Sequence, residues 1–143
     1  MVSKPATRDV QKSLYVNFLK RAEECFHAAK NSFAAKEWNA AAINTIHSCI
    51  AACDAMCVYF LGKRHAGENH EEVVNLFMTI KSNGEEIKTN ANRIPRILRI
   101  KNMAEYEERL VYQPETEKVL KDCERFFEFV KKELPSIQDT GPV

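Results

Sequence analysis

The sequence predicts an all-α fold, an up-and-down antiparallel helical bundle of four main helices plus a short helix. Three observations predict it. Glycine and proline together number nine in 143 residues, too few breakers for a chain of many short strands. Strong helix formers (Ala, Glu, Lys, Leu) are abundant in their place. Apolar residues also recur at three- and four-residue steps, the spacing that lines one face of a helix. A chain of this length closes one core without staples, so residues 1–143 read as a single domain with frayed ends at 1–8 and 136–143.

The first helix is expected from about Arg8 to about Lys36. Tyr15, Phe18, Leu19, Ala22, Phe26, Ala29 and Phe33 form its stripe, and Lys12, Lys20, Arg21, Glu23 and Lys30 fill the other faces. At 1.5 Å per residue it is about 40 Å long. A break at 36–38 precedes a second helix, about Asn39 to Leu61, that is apolar on nearly every side. Such a helix is surrounded by neighbours; it reads as central, with a second subunit as one candidate neighbour.

Residues 62–67 read as a loop. Asn69 then caps a third helix, with Glu72 completing a capping-box-like pair, and Val73, Leu76, Phe77 and Ile80 form its buried edge. Ser82-Asn83-Gly84 ends it. A shorter, irregular helical stretch interrupted by Pro95 follows, with Ile94, Ile97, Leu98 and Met103 inward. The last helix starts near Pro114, a residue suited to a first turn. Val119, Leu120, Cys123, Phe126, Phe127, Val130 and Leu134 give the cleanest stripe in the chain, and Pro135 stops it.

Hydrophobic residues are 45% and charged residues 29% of the chain, ordinary globular composition that excludes a disordered chain. The formal net charge is +1, so an electrostatic function has to come from local asymmetry. The longest apolar run, 50–62, is short and contains Asp54, which argues against a membrane span. Residues 1–10 have no apolar signal core. Five cysteines, three of them four apart (Cys49, Cys53, Cys57) in an apolar run, read as reduced core thiols in a cytoplasmic protein.

From Lys88 to Ala104 there are five basic residues (Lys88, Arg93, Arg96, Arg99, Lys101) and no acidic one. Arg93, Arg96 and Arg99 at steps of three form a cationic edge, and phosphate suits paired guanidinium donors. The competing reading pairs these arginines with surface carboxylates such as Glu85, Glu86, Glu105 and Glu108. A second set is Asn44, His47, Ser48 and Asp54, a polar seam on the apolar second helix. It is either a satisfied network between helices, since an unpaired buried polar group costs about 1–3 kcal/mol, or a cleft in which His47 and Asp54 touch a ligand. Cys49, Cys53 and Cys57 lie in one helical row, unlike structural zinc sites. His65 and His70 lack a second convergent cluster. No metal and no cofactor are therefore expected, and no known catalytic motif is present.

Three segments together resemble the HEPN family: Phe18-Leu19-Lys20-Arg21-Ala22-Glu23-Glu24, the Ala-rich second helix with Ile46-His47-Ser48 and Cys53-Asp54-Ala55, and Lys101-Asn102-Met103-Ala104-Glu105-Tyr106. The resemblance runs from about Leu14 to Leu134. It implies a bundle of four main helices plus a short one, commonly a homodimer. It also implies one of two roles. Many members are metal-independent ribonucleases with an Arg, four to six intervening residues and a His, often opening Arg-Asn. Others are binding modules, frequently beside a nucleotidyltransferase in toxin–antitoxin pairs.

Here Lys101-Asn102 stands at the Arg-Asn opening, Glu105 or Tyr106 stands where the His is expected, and no His follows Arg99. A histidine exchanges a proton near neutral pH, whereas ordinary Tyr and Glu side chains do not. The leading expectation is a non-catalytic, dimeric module that binds a nucleotide, RNA or a protein partner through Arg93, Arg96, Arg99, Lys101 and Asn102. The alternative is a ribonuclease using Arg99 or Lys101 with Glu105, Tyr106 or His47. A third reading is a helical adaptor.

Overall fold

In the computed structural model residues 6–67 and 71–136 are described. The chain begins with a short strand, β1 (Thr7–Asp9), and a 3-10 turn at Lys12–Leu14. Four long helices follow in order of appearance: α1 (Tyr15–Ala34), α2 (Trp38–Leu61), α5 (Arg93–Glu105) and α6 (Gln113–Glu133). Between α2 and α5 lie the strand β2 (Lys63–His65) and two short helices, α3 (Glu71–Phe77) and α4 (Gly84–Ala91). The fold is the predicted all-α bundle.

At the centre stands α2, packed against α1, α5, α6, α3 and β2. Every residue from Ala51 to Val58 is buried, because Ala and Cys let neighbouring helices approach on all sides. By length and composition α2 would pass for a membrane span. However, 78% of its most apolar stretch is buried inside the protein, so helices of the same chain take the place of lipid. Most of its apolar surface is thus covered within the chain. Ser48 Oγ donates to the Ala22 carbonyl at 2.8 Å, Thr45 Oγ1 to Ala41 at 2.7 Å and Asn44 Nδ2 to Ala40 at 3.0 Å. Of the four seam residues, Asn44 is therefore satisfied within its own helix and Ser48 by α1.

The hairpin of α1 and α2 turns through Lys36, whose φ of 62° is left-handed. The α1 stripe packs as expected, with Phe26 stacked on Phe127 at 5.5 Å and Tyr15 edge-on to Tyr59 at 5.0 Å. Phe126 and Phe77, both fully buried, meet at 5.6 Å between α6 and α3. A second, smaller core cluster joins Ala42 and Ile46 of α2, Ile100 and Ala104 of α5, Val111, and Val119 of α6.

Four expectations need correction. The first helix starts at Tyr15, because Thr7–Asp9 instead pairs antiparallel with Lys63–His65, the segment expected as loop; Thr7 faces His65, Arg8 faces Arg64 and Asp9 faces Lys63. Gly62, at φ 70°, caps α2 in the left-handed region and releases the chain into β2. The third helix is short, ending at Phe77, and its expected cap Asn69 lies outside the described residues. Asn83 then opens α4 rather than closing the third helix. Finally, Pro95 does not interrupt a weak helix but sits in the first turn of α5, a full element of 13 residues. Proline lacks the N–H that would bond the carbonyl four residues back, so the break falls at Asn92 and separates α4 from α5.

Candidate functional site

A groove of about 660 Å³ runs between α5 and α6. The smaller core cluster supplies its apolar floor through Ile100, Val119 and the adjoining Met103. Arg96 and Arg99 rise from α5 along one wall. Lys118, Lys121 and Arg125 rise from α6 along the other. These three lie at i, i+3 and i+7, which is one helix face.

Five cations thus face two carboxylates, and both carboxylates are engaged. Asp122 Oδ1 accepts from Arg96 Nη2 at 3.3 Å. Glu115 takes both arms of Arg109, at 2.7 and 3.3 Å, and its Oε1 also accepts the Tyr112 N–H at 3.1 Å. The Arg109 hydrogen bonds, followed by the Tyr112 N–H, hold the Glu115 carboxyl below its ordinary range. That N–H bond closes the start of α6, which also carries Pro114 in its first turn. Lys121 leans on Glu117 at 3.4 Å. Among the described residues Arg99, Lys118 and Arg125 make no ion pair, so the groove carries net positive charge with its cations largely uncommitted.

Of the residues singled out in the sequence, Arg96 and Arg99 enter this groove. Arg93 faces a neighbouring hollow of about 390 Å³ with Glu86, Asn90 and Glu128. There its Nη1 donates to Asn90 Oδ1 at 2.6 Å, and its Nε is buried without a partner. Arg125 lines both spaces. Lys101 is half-buried and Asn102 exposed; the Asn102 carbonyl accepts the N–H groups of Tyr106 and Glu107, at 2.9 and 3.0 Å, and so closes α5. Tyr106 is 71% exposed. Pairing with a carboxylate holds for Arg96, through Asp122; Glu85, Glu86, Glu105 and Glu108 pair with none of the three arginines among the described residues. Lys118, Lys121 and Arg125 escaped the sequence reading, although their helical spacing was there to be seen.

Among the described residues His47 does not line the cavity that Asp54 lines. His47 is exposed and its Nε2 lies 3.8 Å from Glu105 Oε1 on α5. Asp54 is buried beneath the ribbon of β1 and β2, and burial pushes its carboxyl from the ordinary 3.8 up to about 7, against the pull of Arg64 and Arg21. No metal-ligating cluster occurs among the described residues. Burial raises the Cys53, Cys57 and Cys123 thiols, and a protonated thiol is a core side chain, not a metal ligand.

The family model for the HEPN domain matches residues 15–134, from the first residue of α1 to just past the end of α6. The chain belongs to the HEPN domain family. No curated protein and no solved structure matches it. Within this HEPN bundle the Lys101–Tyr106 segment forms the last turns of α5, and His47 approaches it from α2 through Glu105.

Proposed function

We propose that this protein is a non-catalytic HEPN module that binds the phosphates of a nucleotide or RNA in the groove between α5 and α6. The observation that carries this is five cations over an apolar floor, three of them without an ion pair among the described residues. Guanidinium and ammonium groups hold phosphate oxygens, and Ile100, Met103 and Val119 offer a surface to a base or sugar. The missing His after Arg99 and Lys101 supports a binding role over cleavage. Binding of labelled single-stranded RNA and of ATP, followed by fluorescence polarisation, tests it. Arg99→Ala with Lys118→Ala should weaken binding at least tenfold while the folded spectrum is unchanged. Equal binding by parent and variant would remove the proposal.

The protein is proposed to act as a homodimer in the cytoplasm, in a toxin–antitoxin-type pair with a nucleotidyltransferase. The exposed Tyr106, Leu110 and Tyr112 support an apolar contact beside the α5 terminus, and five unpaired cysteines support a reducing compartment.

One observation favours the second reading, a metal-independent ribonuclease. His47, the exposed histidine of α2, stands beside Glu105, so a base from another helix reaches the segment where the family places its own. Incubating the protein with RNA decides this: cleavage lost in both His47→Ala and Arg99→Ala would establish the enzyme.

A further inference from the structure

Asp54 is only 7% exposed, and among the described residues its carboxyl makes no hydrogen bond and no ion pair. Burying a carboxyl without partners is costly, and the site it opens on is not empty of chemistry. That site is a cavity of about 150 Å³ whose polar walls include Arg8, Arg64 and the segment His65–Gly67. Arg8 and Arg64 are direct partners across the two-stranded ribbon, so their side chains leave the same face of it. The shell at the back of the cavity is apolar, from Ile50 and Val73. A cavity of this size takes a molecule of about six heavy atoms. Two guanidinium groups and one carboxyl therefore line one small space, with no ion pair between them among the described residues.

We infer that this cavity binds a small oxyanion, held by Arg8 and Arg64 beside the buried carboxyl of Asp54. A cation is the poorer occupant, because both arginines repel it. The anion fits the gap by accepting from all three groups, and it shares no residue with the groove between α5 and α6.

The charged and titratable groups around Asp54 are Arg21 of α1, Arg8 of β1, Arg64 and His65 of β2, and Glu72 of α3, with the Cys53 and Cys57 thiols on α2 itself. Glu72 is held 3.4 Å from His65 Nε2. With the Asp54 carboxyl already raised to about 7 by burial, an anion placed beside it favours the protonated form further. Binding thus takes up a proton, and affinity falls as pH rises through neutrality.

Sulfate and acetate are suitable probes, because their own charge is constant near neutral pH. Titration of the whole protein, followed by calorimetry and by the amide signals of Ala66 and Gly67, should show saturable binding about tenfold weaker at pH 8 than at pH 6. Asp54→Asn, which keeps the shape and stays neutral, should lose most of this pH dependence. Arg8→Gln, on an exposed strand position, and Arg64→Gln should each lose most of the affinity. No saturable response at Ala66 and Gly67, equal binding by both arginine variants, or affinity that rises with pH would each overturn the inference.

Discussion

Arg96 and Arg99 sit one helical turn apart on α5, yet their circumstances differ. Arg96 is tied to Asp122 at 3.3 Å, whereas Arg99 has no acidic partner among the described residues. A ligand phosphate has to draw Arg96 away from Asp122 but meets Arg99 free. Arg99→Ala should therefore weaken binding more than Arg96→Ala. Asp122→Asn should strengthen it, by up to about fivefold, the worth of one exposed ion pair. Polarisation titrations of the three variants check both statements. Arg99 and Arg96 were legible in the sequence because a run with five cations and no carboxylate stands out. Lys118, Lys121 and Arg125 were not, because carboxylates are interspersed with them in the chain, Glu117 just before and Asp122 and Glu124 between. Only the helix period gathers the three cations on one face, and even there Asp122 stays among them. His47 and Asp54 failed in the opposite way. Their seven-residue spacing put them on one side of α2, but His47 is exposed beside Glu105 of α5 while the ribbon covers Asp54.

The long elements were readable because each has a stripe and a stop. The short ones were not. Strands of three residues, two of them charged in Lys63–His65, carry no alternation to detect, and their pairing partner lies more than 50 positions away. At Gly62 the left-handed φ of 70° joins α2 to β2, with open space where a Cβ would go. Gly62→Ala should cost only the backbone penalty of about 1–2 kcal/mol, seen as a lower urea midpoint. Phe126→Ala tests the opposite extreme. The ring is fully buried against Phe77, so its loss leaves a cavity between α6 and α3 and should cost about 3–5 kcal/mol.

For the molecule as a whole, Asp54 sets a pH dependence. Its folded-state pKa is raised, from 3.8 to about 7, so the folded protein binds the proton more tightly than the unfolded chain. The contribution of Asp54 to stability is then greatest below about pH 4, declines as pH rises from 4 to 7, and is flat above. The full effect is on the order of 4 kcal/mol. Asp54→Asn should remove that slope, and thermal melts at pH 5 and 8 read it directly. The state of association belongs to the same scale. Light scattering at micromolar concentration should give a dimer mass for the parent and a monomer mass for Leu110→Glu with Tyr112→Glu. A monomeric parent would remove the dimer.

The central claim is that the groove of α5 and α6 recognises phosphate, and its most direct measurement is the salt dependence of single-stranded RNA binding. Each phosphate neutralised contributes about −0.7 to the slope of log K against log salt. The parent is predicted to show a slope near −2, since Arg99, Lys118 and Arg125 are free to engage. Arg99→Ala should make it shallower by about 0.7, and so should Arg125→Ala from the other wall. A parent slope near zero, or a steep slope that neither substitution changes, would contradict the account.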